Sequence, residues 1–382
     1  MGSPSGPILG GWGGMESPSG PILACWGGST QAMRARRRLF IVSLCVVLFL
    51  TAVGAVVWLR KQAAPEPARL LPEADAVIYV DFGTIRSLTA VDQQFPRLAP
   101  GYDEFVKSTG FAFERDLDEA AMAVHRGTIK DNKRTPTRYT EILVGRYDQG
   151  KLEQYLRPHS RSVEVYRDSD VFTVPIENRT LRIALLAIDT VVISNVDDPS
   201  VIHGVIDRFK RVALPFGGPR LVRRYYPHVP LGSLLWAIAR LPASANNNES
   251  SFTLPGGIDV GLPTGSDLVL SLRMLTAIHA RADFYTNSEQ AARQFTEQTG
   301  TFLALFRGIQ ERAAGGPGDA DIKAVFDSIE ITQHGDRAEL TATIPIGFLR
   351  KLVTQPTSEP QGEPASSGPT PSTPESVGPN KR

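Results

Sequence analysis

Residues 268–284 read LVLSLRMLTAIHARADF, and their alternation decides the fold class. Leu268, Leu270, Leu272, Met274, Ile278, Ala280, Ala282 and Phe284 share one parity, while Ser271, Arg273, His279, Arg281 and Asp283 hold the other. Successive side chains of a strand point to opposite faces, so this segment has one apolar and one polar face. That is the pattern of a half-buried antiparallel sheet, here a hairpin turning near Thr276.

The same signature extends outward in both directions. Ser233–Arg240 fits either a strand or a helix, and the Pro242 and Asn/Ser loop that follow favour a strand. Ser288–Ala313 reads as an amphipathic helix with Ala291, Phe295, Phe302 and Phe306 on its apolar side. Ser328–Thr332 and Ala338–Ile344 form a second hairpin through His334-Gly335-Asp336, and Ile346–Val353 closes as a helix. Nearer the N-terminus, Ala76–Phe82 (AVIYVDF) has the β-branched and aromatic content of a strand. Thr84–Leu88 and Tyr102–Thr109 read as helices, the second stopped by Gly110. Strands are expected at Ala120–His125, Tyr139–Arg146, Ser162–Tyr166, Val171–Ile176, Arg182–Ile188 and Thr190–Ser194. Helices are expected at Gly150–Leu156 and at Pro199–Lys210, which has a proline at its first turn. Strands and helices without regular β-α-β alternation indicate an α+β fold with a largely antiparallel sheet and packed helices. An internal echo points to two related β-α-β-β-α units. Asp81-Phe82 and Asp283-Phe284 each end a strand, and Phe105-x-x-x-Thr109-Gly110 matches Phe295-x-x-x-Thr299-Gly300.

Leu39–Leu59 (LFIVSLCVVLFLTAVGAVVWL) is 21 residues without a charge, long enough to cross a hydrocarbon core of roughly 30 Å as a helix. Arg34, Arg36, Arg37 and Arg38 precede it, and only Arg60 and Lys61 follow closely. This asymmetry places the N-terminus in the cytoplasm and the C-terminal part outside, on the far side of the inner (cytoplasmic) membrane. Val53-Gly54-Ala55 offers a small-residue cleavage site for a signal peptide. The apolar run continues past it to Leu59, which favours an uncleaved anchor. Before the run, SPSGPIL occurs at Ser3–Leu9 and again at Ser17–Leu23 in a Gly/Pro/Ser-rich context. The expected organisation is a disordered extension, or one upstream of a native start at Met33, over 1–33. A transmembrane anchor with a basic flank follows over 34–61, then a linker over 62–69. The folded domain spans 70–353, with halves at 70–215 and 216–353, and a Pro/Ser/Gly/Glu-rich disordered tail spans 354–382.

Lys plus Arg total 41 and Asp plus Glu total 40, so charge gives no case for a nucleic-acid partner. The two cysteines, Cys25 and Cys45, both precede the folded domain, which therefore has no disulfide, thiol nucleophile or cysteine metal ligand. No nucleophile elbow, Walker loop, dinucleotide fingerprint, zinc helix or calcium loop is present. His125, His159, His203, His228, His279 and His334 are dispersed without metal-ligand spacing. Asp116, Asp118, Glu119, Asp197 and Asp198 fall beside element starts, where carboxylates cap helices or shape turns. No catalytic residue, metal or cofactor is expected. The candidate functional surface is the set Arg208, Lys210, Arg211, Arg220, Arg223 and Arg224, interleaved with Phe209, Phe216, Tyr225 and Tyr226. These cations could grip anionic lipid headgroups or an acidic envelope protein. A second basic stretch runs from Arg126 to Arg138.

Leu71-Pro72-Glu73-Ala74-Asp75 leads into AVIYVDF, and Thr109-Gly110-Phe111 is followed by Glu114-Arg115-Asp116-Leu117-Asp118. This order of parts resembles uncharacterised membrane-anchored proteins of bacteria with large envelopes. The resemblance implies the location and carries no site residue. The expectation is thus a non-enzymatic binding or scaffold protein of the cell envelope. The alternatives are an envelope-acting enzyme with a site assembled from dispersed residues, or a lipid or hydrophobic-ligand carrier whose sheet forms an apolar wall.

Overall fold

The computed structural model describes residues 44, 46–54, 63–89, 101–127, 129–130, 133–176, 179–211, 218–243, 251–254, 258–313 and 320–345. The chain divides into two units, Met1–Arg60 and Lys61–Arg382. In the first, residues 44 and 46–54 are helical, within the apolar run. The remainder of Leu39–Leu59, the extension 1–33, the helix Ile346–Val353 and the tail 354–382 lie outside the described residues. No helix among the described residues is long and apolar enough to cross a membrane.

The second unit opens with α1 (Glu66–Leu70), β1 (Ala76–Asp81), α2 (Phe82–Thr89), α3 (Tyr102–Thr109), α4 (Phe113–Asp116) and β2 (Leu117–His125). It continues with the small hairpin β3 (Ile129–Lys130) and β4 (Lys133–Arg134), then β5 (Arg138–Gly145) and α5 (Gln149–His159). Four strands follow: β6 (Ser162–Tyr166), β7 (Ser169–Ile176), β8 (Arg179–Leu185) and β9 (Thr190–Ser194). Next come α6 (Ser200–Lys210), α7 (Arg220–Tyr225), a 3₁₀ turn at Tyr226–His228, β10 (Leu235–Arg240), β11 (Ser251–Leu254) and β12 (Ile258–Gly261). The unit ends with β13 (Asp267–Met274), β14 (Ile278–Tyr285), α8 (Glu289–Ala313), α9 (Ala320–Asp327), β15 (Glu330–His334) and β16 (Arg337–Ile344).

Twelve strands form one sheet in the order β15-β16-β14-β13-β10-β1-β2-β5-β9-β8-β7-β6. Each neighbouring pair is antiparallel. The α+β class with a large antiparallel sheet is therefore as the alternation implies, and residues 268–284 form the hairpin β13–β14. Outward from the central pair, the halves run β1-β2-β5-β9 and β10-β13-β14-β16. In each half a helix follows the third strand, and a hairpin delivers the fourth. This is not the correspondence the echo suggests. β1 lies beside β2, the next sheet strand in the chain, whereas β14 lies beside β16, the second strand of its following hairpin. The echoed Gly110 ends its helix at φ 74°, while Gly300 sits inside α8. The shared spacing reflects only that both helices turn an i, i+4 stripe inward.

Val77, Tyr79, Trp236 and Ile238 lie on one face, here the front. They pack with Ile202, Val205 and Ile206 of α6 and with Leu221, Val222 and Tyr225 of α7. Tyr79 stacks on its cross-strand partner Trp236 at 5.5 Å, an aromatic pairing that adds to simple burial. The back face is covered in two places. Leu152 and Leu156 of α5 pack on Phe172, Leu185 and Val191. Phe295 of α8 packs on Ala282, Phe284 and Ala338. Between these layers Ile78, Val80, Leu235, Ala237 and Leu272 are half-buried.

The stretch Gln62–Arg69, with the composition of a linker, instead supplies α1. Ala64, Ala68 and Leu70 are buried in the front core, because proline at the helix start and small alanines let the backbone lie close to the sheet. Gly145 closes β5 where a Cβ would come within 2.5 Å of the Asp116 carbonyl. Only glycine allows that approach, and Arg146 N–H then bonds the same carbonyl at 2.9 Å.

The β6–β7 hairpin turns through Arg167 and Asp168, at φ 47° and 61°, a left-handed conformation that favours glycine. Arg167 pairs with Asp207 at 2.6 Å, so the strain at that residue is offset. Replacing Asp168 with Gly should stabilise the domain by about 0.5–1 kcal/mol, read as a raised urea midpoint at unchanged slope.

Candidate functional site

The six cations selected from the sequence sit on α6 and α7, both on the front face. In α7, Leu221, Val222 and Tyr225 are buried, which turns Arg220, Arg223 and Arg224 outward. Gly218, at φ 112°, passes Arg69 so closely that a Cβ would lie 3.0 Å from its Cα. The Glu73 carboxylate then accepts the Arg220 backbone N–H at 3.0 and 3.2 Å, a charge-assisted cap of the helix start. The end of α6 and the start of α7 are thereby both fastened to residues 69–73.

Arg208 departs from the expected surface role. It is half-buried, and its Nε donates to the Leu70 carbonyl at 2.7 Å. Burial lowers its proton affinity, with Glu73 and Asp207 opposing. It is a positioning residue that ties α6 to the end of α1. The interleaved aromatics also turn inward: Tyr225 is buried, Phe209 and Tyr226 pack against the front core, and Tyr226 meets Trp236 edge-on at 5.4 Å. Phe216 lies outside the described residues. Lys210, Arg211, Arg220, Arg223 and Arg224 remain exposed. Among the described residues none of these five has a carboxylate ion-pair partner, and Arg224 lies over the Tyr225 ring at 5.0 Å.

The other candidates are structural. Arg126 donates to the Arg240 carbonyl, and its backbone N–H bonds Asp75 at 2.9 Å. Arg138 pairs with Asp197 at 2.6 Å. Burial works against the charge on Asp116, but Arg115 at 2.6 Å and the Ala112 N–H hold its carboxyl below the usual range. Asp198 is held low by the Ser200 hydroxyl and N–H at the start of α6. His203 stacks on Tyr166 at 4.0 Å. Among the described residues no group of His, Cys, Asp and Glu could hold a metal ion.

Sequence reasoning missed a charge network on the front of β14 and β16. Asp283, 1% exposed, lies directly across from Glu339. Arg281 bridges both carboxylates, at 2.9 Å to Asp283 and 3.1 Å to Glu339. Arg337 does the same at 3.8 and 3.3 Å. The signal was Arg-x-Asp on one strand and Arg-x-Glu on the other, but only the register shows that they meet. Two like charges facing across a ladder repel, and the two guanidiniums neutralise them. Asp283→Ala should destabilise the domain by about 3 kcal/mol in denaturant unfolding, since it leaves two partly buried guanidiniums to share the single Glu339 carboxylate.

Burial raises the proton affinity of two carboxyls. Glu119, bonded by the Tyr79 hydroxyl at 3.0 Å, is raised mainly by desolvation, with Asp81, Asp118 and Glu66 adding to it. Glu141, on the back of β5 opposite Met122 and Ile193, is raised by desolvation alone. A raised carboxyl makes the folded state bind protons more tightly, so stability falls as pH rises from the ordinary glutamate range through the folded value. Glu141→Gln should therefore raise stability at neutral pH. The gain should vanish on acidification through that window in a pH series of urea melts.

No family model and no curated protein matches the chain. Among solved structures, crystal form IV of TP0453 aligns over 77% of this chain and 99% of that one, at 10% identity and a TM-score of 0.40. Crystal form III of TP0453 aligns over 76% and 98%, at 10% identity and 0.41.

Proposed function

We propose that the chain is a membrane-anchored, extracytoplasmic, non-enzymatic binding or scaffold protein of the cell envelope. The observation that carries this reading is the 21-residue uncharged run Leu39–Leu59 behind four arginines, which suits a transmembrane helix with its N-terminus inside. A binding role is favoured over catalysis by where the charges go. The carboxylates at the ladder ends and on β14 and β16 already have partners, and no nucleophile, base and oxyanion donor converge among the described residues. The exposed cations Lys210, Arg211, Arg220, Arg223 and Arg224 form the surface for an anionic partner, an acidic envelope protein or lipid headgroups.

A carrier for a whole hydrophobic ligand would need a cavity of roughly 300–1,000 Å³. The apolar pocket at the end of the sheet is about 160 Å³. A broader concavity of about 560 Å³ beside α5 is lined by Gly150, Glu153, Gln154, Arg157 and Pro158, which are helix-surface residues.

In-cell crosslinking and affinity purification of the full chain from membranes should recover a specific partner. A variant with Arg220, Arg223 and Arg224 changed to Gln should lose it. Recovery undiminished in the variant would remove α7 from the binding surface. Extraction of the full chain from membranes by alkaline carbonate would overturn the anchor.

A further inference from the structure

We infer that the end of the sheet where β1 finishes rests on the bilayer through an apolar patch built by α2, the segment before β10 and the β13–β14 turn. The inference rests on the anchoring reading above. Asp81, Leu235, Met274 and Ile278 mark this end through the register of β1, β10, β13 and β14. Here Ile85, Leu234, Leu235, Leu272, Met274 and Ile278, with Arg273, enclose the apolar pocket of about 160 Å³. On its surroundings stand three leucines that the fold leaves in solvent: Leu88 (53% exposed), Leu231 (60%) and Leu275 (64%). Leu88 is one helical turn beyond Ile85, so it lies on the same side of α2. Leu231 and Leu275 each lie three residues from a bridge between their segments, the Leu234 N–H to the Leu272 carbonyl at 2.9 Å. The polar side of α2 is occupied elsewhere: Arg86 donates to the Leu117 carbonyl and pairs with Asp118 at 2.6 Å. Ile188, 78% exposed, tips the β8–β9 turn at the same end. A lone exposed leucine needs no explanation, but several gathered about an apolar pocket mark a contact surface.

The chain itself identifies the occupant. Four residues, Arg60 to Ala63, separate Leu59, the last of the uncharged run, from Ala64, which is 8% exposed within the front core. The five Cα steps from Leu59 to Ala64 span at most about 17 Å, so a bilayer holding the anchor is within reach of the folded domain. The exposed leucines select which end faces the bilayer. α1 packs on β2 and β5, and Glu119 of β2 lies across from Asp81 at the leucine-bearing end. The chain then rises to Asp75, whose N–H bonds the Val124 carbonyl at the opposite end. There the described turns are mostly polar, as at His334-Gly335-Asp336, with Ile176 the exposed apolar exception; at the leucine-bearing end the charged Arg167-Asp168 turn lies at the far β6–β7 side, away from the patch. A leucine-tipped end at the headgroup level, with hydrocarbon side chains entering the acyl boundary, follows the rule for interfacial segments.

The test uses the full chain with Cys25→Ser and Cys45→Ser, reconstituted in phosphatidylcholine vesicles with and without phosphatidylglycerol. Single cysteines, Leu231→Cys and Leu275→Cys at the patch and Asp336→Cys at the opposite end, carry an environment-sensitive fluorophore. Flotation with the vesicles reports the anchor independently. The expected result is blue-shifted emission at 231 and 275, lost on adding nitroxide-bearing lipids, with neither effect at 336 and no dependence on phosphatidylglycerol. A chain that floats with all three probes equally wet overturns this inference and leaves the anchor standing. A chain that does not float overturns both. Leu88→Cys repeats the measurement from an independent element.

Discussion

The two halves of the sheet meet through one ladder, β1 against β10, with Tyr79 stacked on Trp236 at its centre. Every other ladder of the large sheet pairs strands within one half. Closing this seam spans residues 77 to 238, a long loop whose entropy must be recovered by the contacts it brings together. The front-face helices supply that recovery. α7 packs on both β1 and β10, and Leu70, Leu71, Val229 and Tyr225 are buried with the stacked pair. Loosening the seam would release α1 and α7 together, because Glu73, Gly218 and Leu70 fasten them to the same short segment.

The electrostatic arrangement follows from that packing. Where helices cover the front face, charged groups survive only with local partners, as Arg208 does on Leu70. Beyond α7 the front of β14 and β16 has no helix above it among the described residues, so its polar side chains neutralise one another across the ladder. Lys210, Arg211, Arg220, Arg223 and Arg224 gather on the outward side of α7 and at the end of α6. α7 lies toward the end where Tyr225 meets Asp267 at 2.5 Å, opposite the leucine-bearing turns.

Much of this architecture was legible in the alternation of residues. Strand β1, the β13–β14 and β15–β16 hairpins and α3 with its Gly110 stop all have local causes, namely two-residue parity, turn residues and a left-handed cap. What the sequence hid depends on partners distant in the chain. α1 looks like a linker because alanine and proline bury little surface of their own. The Asp283 network is invisible until register sets Asp283 opposite Glu339. The basic set was legible as composition, but the inward turn of Arg208, Phe209 and Tyr226 depends on Leu70 and Trp236, which no local pattern announces.

The late arrival of β10 has a consequence for synthesis. When β9 leaves the ribosome, the first half holds every sheet strand it needs except a neighbour for β1. One side of AVIYVD then stands as a bare edge, its N–H and C=O groups unpaired and its aromatic ring without a stacking partner. Such an edge templates pairing with any available strand. Until β10 follows, that edge of the emerging domain is open to a strand of a second copy beside it.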